Sequence, residues 1–144
     1  MSPCILQIED EEGDVLLLQH AFRAAEIQEA VQVVTDGQEA VDYLSGAGRF
    51  SDRTTYPLPQ LVLLDLKLPG RSGLQVLEWM RAQPALRTMV VVALTSSSLK
   101  ADVQRAYELG ANSYVVKPSG IQRLTELARH LKGWWLRHNR FPAG

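Results

Sequence analysis

Residues 61–70 read Leu61-Val62-Leu63-Leu64-Asp65-Leu66-Lys67-Leu68-Pro69-Gly70: four consecutive apolar residues, an acid, then a turn. A strand with one solvated face alternates apolar and polar residues, whereas this run is apolar without interruption. It reads as a central strand of a parallel sheet covered on both faces, with Pro69-Gly70 marking the exit. Parallel neighbours need crossover connections, usually helices. Working outward, residues 4–8, 30–34, 89–94 and 113–116 are four more short apolar or β-branched runs. Segments with helical spacing lie between the five runs and after the last.

The helix starts are marked by residue pairs. Asp36 with Glu39, Ser72 with Gln75, and Ser119 with Gln122 each place a capping oxygen three residues before a second polar side chain. Val15, Leu18, Phe22 and Ala25 share one face of the first helix; Val76, Leu77 and Met80 share one in the third. In the last, the stripe is Ile121, Leu124, Leu127, Ala128, Leu131 and Trp135. The class is α/β: a five-stranded doubly wound parallel sheet, order 2-1-3-4-5, flanked by five helices. Residues 46–59, broken by Gly46, Gly48, Pro57 and Pro59, read as a tolerated surface insertion.

The 144 residues suit one domain with a proper core. An apolar share of 46% excludes a disordered chain, and a net charge of −1 offers no basic field to draw nucleic acid. The single Cys4 cannot form an internal disulfide and reads as a buried thiol. No apolar run approaches the roughly 20 residues of a membrane span. Met1-Ser2-Pro3 leads directly into a strand, with no secretory leader, so the expected compartment is the cytoplasm.

Ligands of open parallel sheets bind beyond the carboxyl ends of the strands, at the switch in strand order. Glu9 and Asp10 end strand one, Asp65 strand three, Thr95 strand four and Lys117 strand five, so all five point into one crevice. Two carboxylates about 5 Å apart repel by about 3 kcal/mol at an effective dielectric near 20. Lys117 cannot neutralise three, but a divalent cation closes the sum. An all-oxygen donor set calls for a hard ion, Mg²⁺ rather than Zn²⁺, and such an ion keeps positions for a phosphate oxygen. Asp65, on the central strand, is the nucleophile candidate, and Thr95 and Lys117 would steady the equatorial phosphoryl oxygens. Glu11, Glu12 and Asp14 read as solvated acids at a helix start. His20, His130 and His138 fall outside the crevice and are read as neither ligands nor phospho-acceptors. Trp134 and Trp135 are adjacent, so one completes the core stripe while the other is left for an interface. Arg123, Arg129, Lys132, Arg137 and Arg140 suit a helix C-terminus.

Four segments carry a family resemblance: Ile8-Glu9-Asp10; Leu63-Leu64-Asp65-Leu66 with Pro69-Gly70; Ala93-Leu94-Thr95-Ser96; and Gly110-Ala111-Asn112-Ser113-Tyr114-Val115-Val116-Lys117-Pro118. In this order the chain resembles, over essentially its whole length, the receiver domains of two-component response regulators, whose fold is flavodoxin-like (CheY-like). The resemblance implies that a histidine kinase phosphorylates Asp65 in a Mg²⁺-dependent reaction. It implies Mg²⁺ on Asp10, Asp65 and the backbone carbonyl of Lys67, with Glu9 acting directly or through a water. Thr95 and Tyr114 would move together as the switch, altering the face of helix four, strand five and helix five. The protein would catalyse only its own phosphorylation and dephosphorylation, and would not be an enzyme otherwise. The Lys117–Pro118 bond would be cis, since proline lowers that penalty to about 0.5–1 kcal/mol. Ser119 stands where many receivers carry an aromatic and is read as a helix cap. Lys67 and Ser97 occupy variable positions that tune phosphoryl lifetime.

The long loop before strand three and the Trp134-Trp135-Leu136 ending resemble single-domain regulators paired with bacterial and cyanobacterial phytochromes. Those pair as homodimers through the same face. A bacteriophytochrome-type kinase and a second copy are therefore the expected partners, with Tyr114, Trp134 and Trp135 at the interface. Residues 1–144 are expected to form one receiver, with a core of about 3–132 and a C-terminal helical extension of about 133–144.

Other functions fit less well. A haloacid-dehalogenase-type phosphatase, also metal-dependent and using an aspartyl-phosphate, needs a second Asp two residues after the nucleophile, where Lys67 stands. An FMN carrier of the same fold needs a Ser/Thr/Gly-rich loop after strand one, where four acids stand. A degenerate receiver acting only as a protein-binding module would lack some of the positions filled here. With no DNA-binding segment after residue 140, output is expected through dimerisation, partner binding or onward transfer as a phosphorelay carrier.

Overall fold

The uninterrupted apolar run is a central strand because both of its faces are covered: Leu61 and Leu63 enter one core, Val62 and Leu64 the other. The structure, a computed structural model, describes residues 3–142. Met1 and Ser2, read above as leaderless, and the last two residues of the expected extension lie outside that range. Strands β1 (Cys4–Ile8), β2 (Ala30–Val34), β3 (Leu61–Leu64), β4 (Val90–Thr95) and β5 (Ser113–Val116) pair in parallel in the order β2-β1-β3-β4-β5. This is the expected topology, with β4 displaced by one residue so that Thr95 is its last.

Helices α1 (Glu12–Ala24) and α5 (Ile121–Leu131) pack on each other over one face of the sheet. Leu18, Phe22, Leu124 and Ala128 bury there against Ile5 and Val92. Helices α2 (Gly37–Ser45), α3 (Gly73–Ala82) and α4 (Lys100–Glu108) cover the other face, where Tyr43, Val76, Leu77 and Ala106 join Leu6 and Ile8. Among the described residues no helix is long and apolar enough to cross a membrane.

Two of the three expected caps form. The Asp36 carboxylate accepts from the Glu39 amide at 2.6 Å, and Ser72 with Gln75 makes a reciprocal capping box. Ser119 does not cap α5: the N-cap is Gly120 at φ 85°, with no side-chain bond. Only glycine takes that φ without strain, so the chain enters α5 one residue later than the Ser-Gln spacing suggests. Beyond Leu131 the helix continues with wider π-type winding over Lys132–His138. Trp135 stays on the α1–α5 core while Trp134 is 61% exposed, which is the division expected of adjacent tryptophans. Lys132 does not serve its own helix end; its ammonium donates to the Ala25 and Glu26 carbonyls at 3.1 and 3.0 Å and so caps α1.

The reading of 46–59 as a mere surface insertion is corrected. A 3₁₀ turn, Gly48–Ser51, drives Phe50 into the core between Tyr43 and Tyr56, at ring centroids of 5.0 and 5.1 Å. The Arg53 guanidinium donates to the carbonyls of Tyr43, Leu44 and Tyr56, two of them at the open end of α2. Glycine and proline break a helix here, but they leave the loop free to pack.

Candidate functional site

The strand register assembles the site. Ile8 pairs with Leu64, so Glu9 and Asp65 follow at adjacent strand ends, and the Asp65 amide donates to the Ile8 carbonyl at 3.0 Å. Thr95 pairs with Val116, and the Lys117 amide donates to the Thr95 carbonyl at 2.8 Å. The turn after Asp65 is seated closely on α3. A Cβ on Gly73 would fall 2.7 Å from the Leu66 Cα, so only glycine lets the helix start here, and its amide donates to the Leu66 carbonyl at 2.9 Å.

Carboxylate oxygens of Glu9, Asp10 and Asp65 lie within 4.8 Å of one another. Glu9 and Asp65 are buried, at 2% and 6% exposure, and Asp10 is exposed. Lys117 enters this cluster from β5 and pairs with Glu9, with Asp65 at 3.0 Å and with Asp14 at 2.9 Å. The second Glu9 oxygen accepts from the Glu11 amide at 3.1 Å, and Asp65 Oδ1 accepts from the Lys67 amide at 3.2 Å. The Lys67 side chain itself is exposed.

The electrostatics separate the two buried acids. Burial pushes the Glu9 carboxyl up, opposed by Lys117 and the Glu11 amide and reinforced by Asp65, and leaves it at about 7. Burial also pushes Asp65 upward. There the Lys117 ammonium, the Lys67 amide, the Thr95 hydroxyl and Glu9 outweigh it, and the net direction is down. Burial alone would favour neutral Lys117, but Glu9, Asp14 and Asp65 together raise it and keep it cationic. Asp65 is thus the acid held ionised, as a nucleophile must be.

Thr95 is fully buried, and its hydroxyl accepts from the Ser97 amide at 3.5 Å. The Tyr114 hydroxyl donates to the Ser97 carbonyl at 2.8 Å, tying the half-buried ring to the loop after β4. Ser97 Oγ donates to Asp102 of α4 at 2.5 Å. The structure therefore brings together Glu9, Asp10, Asp65, Thr95 and Lys117, with Tyr114 linked through Ser97. Trp134 and Trp135 lie on the C-terminal turn, and His20, His130 and His138 are exposed on helical segments.

Two expectations are corrected here. Among the described residues there is no cis peptide bond, so Lys117–Pro118 is trans; the trans form is the lower in energy by about 0.5–1 kcal/mol even before proline. Asp14 is not simply a solvated acid: one helical turn beyond Asp10, it faces the crevice and holds Lys117. The four-residue spacing was its only sequence signal.

The three carboxylates fit a hard divalent cation. Their oxygen-only donors and excess negative charge suit Mg²⁺, and Glu9 cannot lose its proton cheaply without added positive charge.

With this fold and site in place, the response regulator receiver domain family matches residues 5–129, and the chain belongs to it. Its members are signalling switches. Among curated relatives it is 36% identical to the probable methanogenesis regulatory protein FilR2 of Methanothrix harundinacea, over 96% of this chain and 86% of that one. It is 32% identical to the response regulator Rcp1 of Synechocystis, over 96% and 92%. A Mn²⁺-bound structure of Rcp1 superposes with a TM-score of 0.88, covering 98% and 99% of the two chains. The response regulator RPA3017 in red light signaling of R. palustris superposes at 0.93 with 36% identity, covering 99% of each chain.

Proposed function

We propose that Asp65 accepts a phosphoryl group from the phosphohistidine of a histidine kinase. The observation that carries this reading is an ionised Asp65 at the end of the central strand, with Lys117 on one oxygen and two further carboxylates beside it. An Asp65 oxygen bonds to phosphorus as the histidine N–P bond breaks, and the electron pair leaves with the imidazole nitrogen. Lys117 and the buried Thr95 hydroxyl hold the equatorial oxygens. Glu9, Asp10, Asp65 and the Lys67 carbonyl would hold Mg²⁺, which when bound offsets the negative charge gathered at the phosphoryl group.

Thr95 moving toward the phosphoryl group releases the Ser97 carbonyl from Tyr114 and so reaches the face of α4, β5 and α5. Leu99, Tyr107 and Val116 are exposed on these elements or beside them, and Trp134 stands beyond α5. A second copy docking on this face is the output we favour. Likeness to RPA3017, which acts in red light signaling, and to the cyanobacterial phytochrome response regulator RcpA, which superposes at a TM-score of 0.91 with 30% identity, supports a phytochrome-type kinase as the donor, and we place the pair in the cytoplasm. The domain reading is a receiver core of about 3–132 with a helical extension beyond it.

The test is incubation with acetyl phosphate and Mg²⁺, followed by intact mass. A gain of one phosphoryl group, lost in Asp65→Asn and in EDTA, is expected. No gain in the native protein at any Mg²⁺ concentration overturns the reading.

A further inference from the structure

Asp14 lies outside the group of carboxylates that converge on one another, yet it takes one of the three hydrogens of the Lys117 ammonium. The other two go to Glu9 and Asp65, so every donor is committed and the direction of each is fixed. The three acceptors come from three elements: the end of β1, the end of β3 and the first turn of α1.

These acceptors differ in what the reaction asks of them. Once Asp65 bonds to phosphorus, its charge passes to the phosphoryl oxygens, and the Lys117 hydrogen that pointed at Asp65 must follow. Glu9 is one of the three carboxylates that would hold a cation, and its pull on Lys117 would weaken once it shared its charge with one. Asp14 is the one partner whose charge the reaction leaves untouched. Its side chain is 43% exposed while Lys117 is 15% exposed, so Asp14 holds the ammonium from the solvent side without a full desolvation cost.

Resting on the reading of Asp65 as phospho-acceptor, we propose that Asp14 is a positioning residue that anchors Lys117 so that one ammonium hydrogen faces the incoming phosphoryl group. Asp14 touches neither phosphorus nor the attacking oxygen; it acts through the lysine. Glu12 supplies the control, because it is an exposed acid of the same helical turn, while the Lys117 ammonium pairs with Glu9, Asp14 and Asp65.

The experiment compares native protein, Asp14→Asn, Asp14→Glu and Glu12→Gln. Intact mass gives the rate of phosphoryl uptake from acetyl phosphate with Mg²⁺. A ¹⁵N-resolved spectrum of the metal-free proteins gives the Lys117 ammonium signal, visible only while its protons are held from exchange. For a half-exposed charge pair the expected loss in Asp14→Asn is about two- to fivefold in rate. The Lys117 signal fades in that variant, Asp14→Glu restores both readings in large part, and Glu12→Gln changes neither. Native rate and an intact Lys117 signal in Asp14→Asn overturn the proposal, and so does equal slowing by Glu12→Gln, which would make the effect one of bulk charge. A native protein that takes up no phosphoryl group sinks the Asp65 reading itself, and this inference with it.

Discussion

The loop from Gly46 to Pro59 and the mouth of the sheet around Asp65 are both partly buried, but they are buried on opposite terms. In the loop every buried group supports its neighbours. Tyr43, Phe50 and Tyr56 meet at tilted and edge-on angles, and Arg53 covers the carbonyls that end α2. At the mouth, two acids at 2% and 6% exposure share one ammonium with a third carboxylate from α1. The first arrangement is what a chain does to gain stability. The second keeps like charges together at a cost, which is how a site poised for an anion and a cation is recognised.

The contrast breaks most readily at Phe50. Removing its ring leaves a cavity between two tyrosines, and Phe50→Ala should cost about 3 kcal/mol in a urea unfolding titration. Phosphoryl uptake by the folded variant should stay near native, because no loop residue reaches the acid cluster. A loss below about 1 kcal/mol would mean that the loop only rests on the core.

Glu9 tests the other side. Its carboxyl sits near 7 in the folded protein against 4.5 ordinarily, so the folded state binds the proton more tightly than the unfolded one. The resulting stabilisation is complete below about 4.5 and is lost as pH rises through about 7. In EDTA, the native protein should therefore lose stability relative to Glu9→Gln between pH 5 and pH 8. At pH 8 the variant should be the more stable by about 1–2 kcal/mol, even though Lys117 loses one charged partner. Urea midpoints at the two pH values decide it. A native-minus-variant difference that does not change with pH would show that Glu9 is an ordinary surface-like acid and that the mouth carries no strain.

How much of this was legible in the sequence follows the same division. The sheet order was readable because uninterrupted apolar runs at 61–64 and 90–92 leave few other places for those residues. The five crevice residues were readable because strand ends in this topology converge by geometry alone. Asp14 was missed because local rules make an acid in a first helical turn unremarkable, and its partner is 103 residues away. The packing of Phe50 was missed because glycines and prolines reveal where a helix cannot be, not what a loop can bury. The trans Lys117–Pro118 bond runs against a family expectation rather than a physical one, since the two isomers differ by so little.

The smallest expected effect sharpens the comparison at the helix starts. Helix α2, which carries Tyr43, is fixed at both ends, by the Asp36 carboxylate on the Glu39 amide and by Arg53 on its last carbonyls. Helix α5, which begins just after Lys117, enters through Gly120 with no side-chain bond. Asp36→Ala should therefore cost about 1 kcal/mol, while Ser119→Ala should stay within about 0.5 kcal/mol despite an identical three-residue spacing to a polar partner. Paired urea titrations of the two variants separate them. Equal losses would show that Ser119 does cap α5 and that the backbone beside the site is pinned as firmly as the loop's own helix. A clear difference leaves the start of α5 as the looser of the two, next to the lysine that follows the phosphoryl group on the proposed reading.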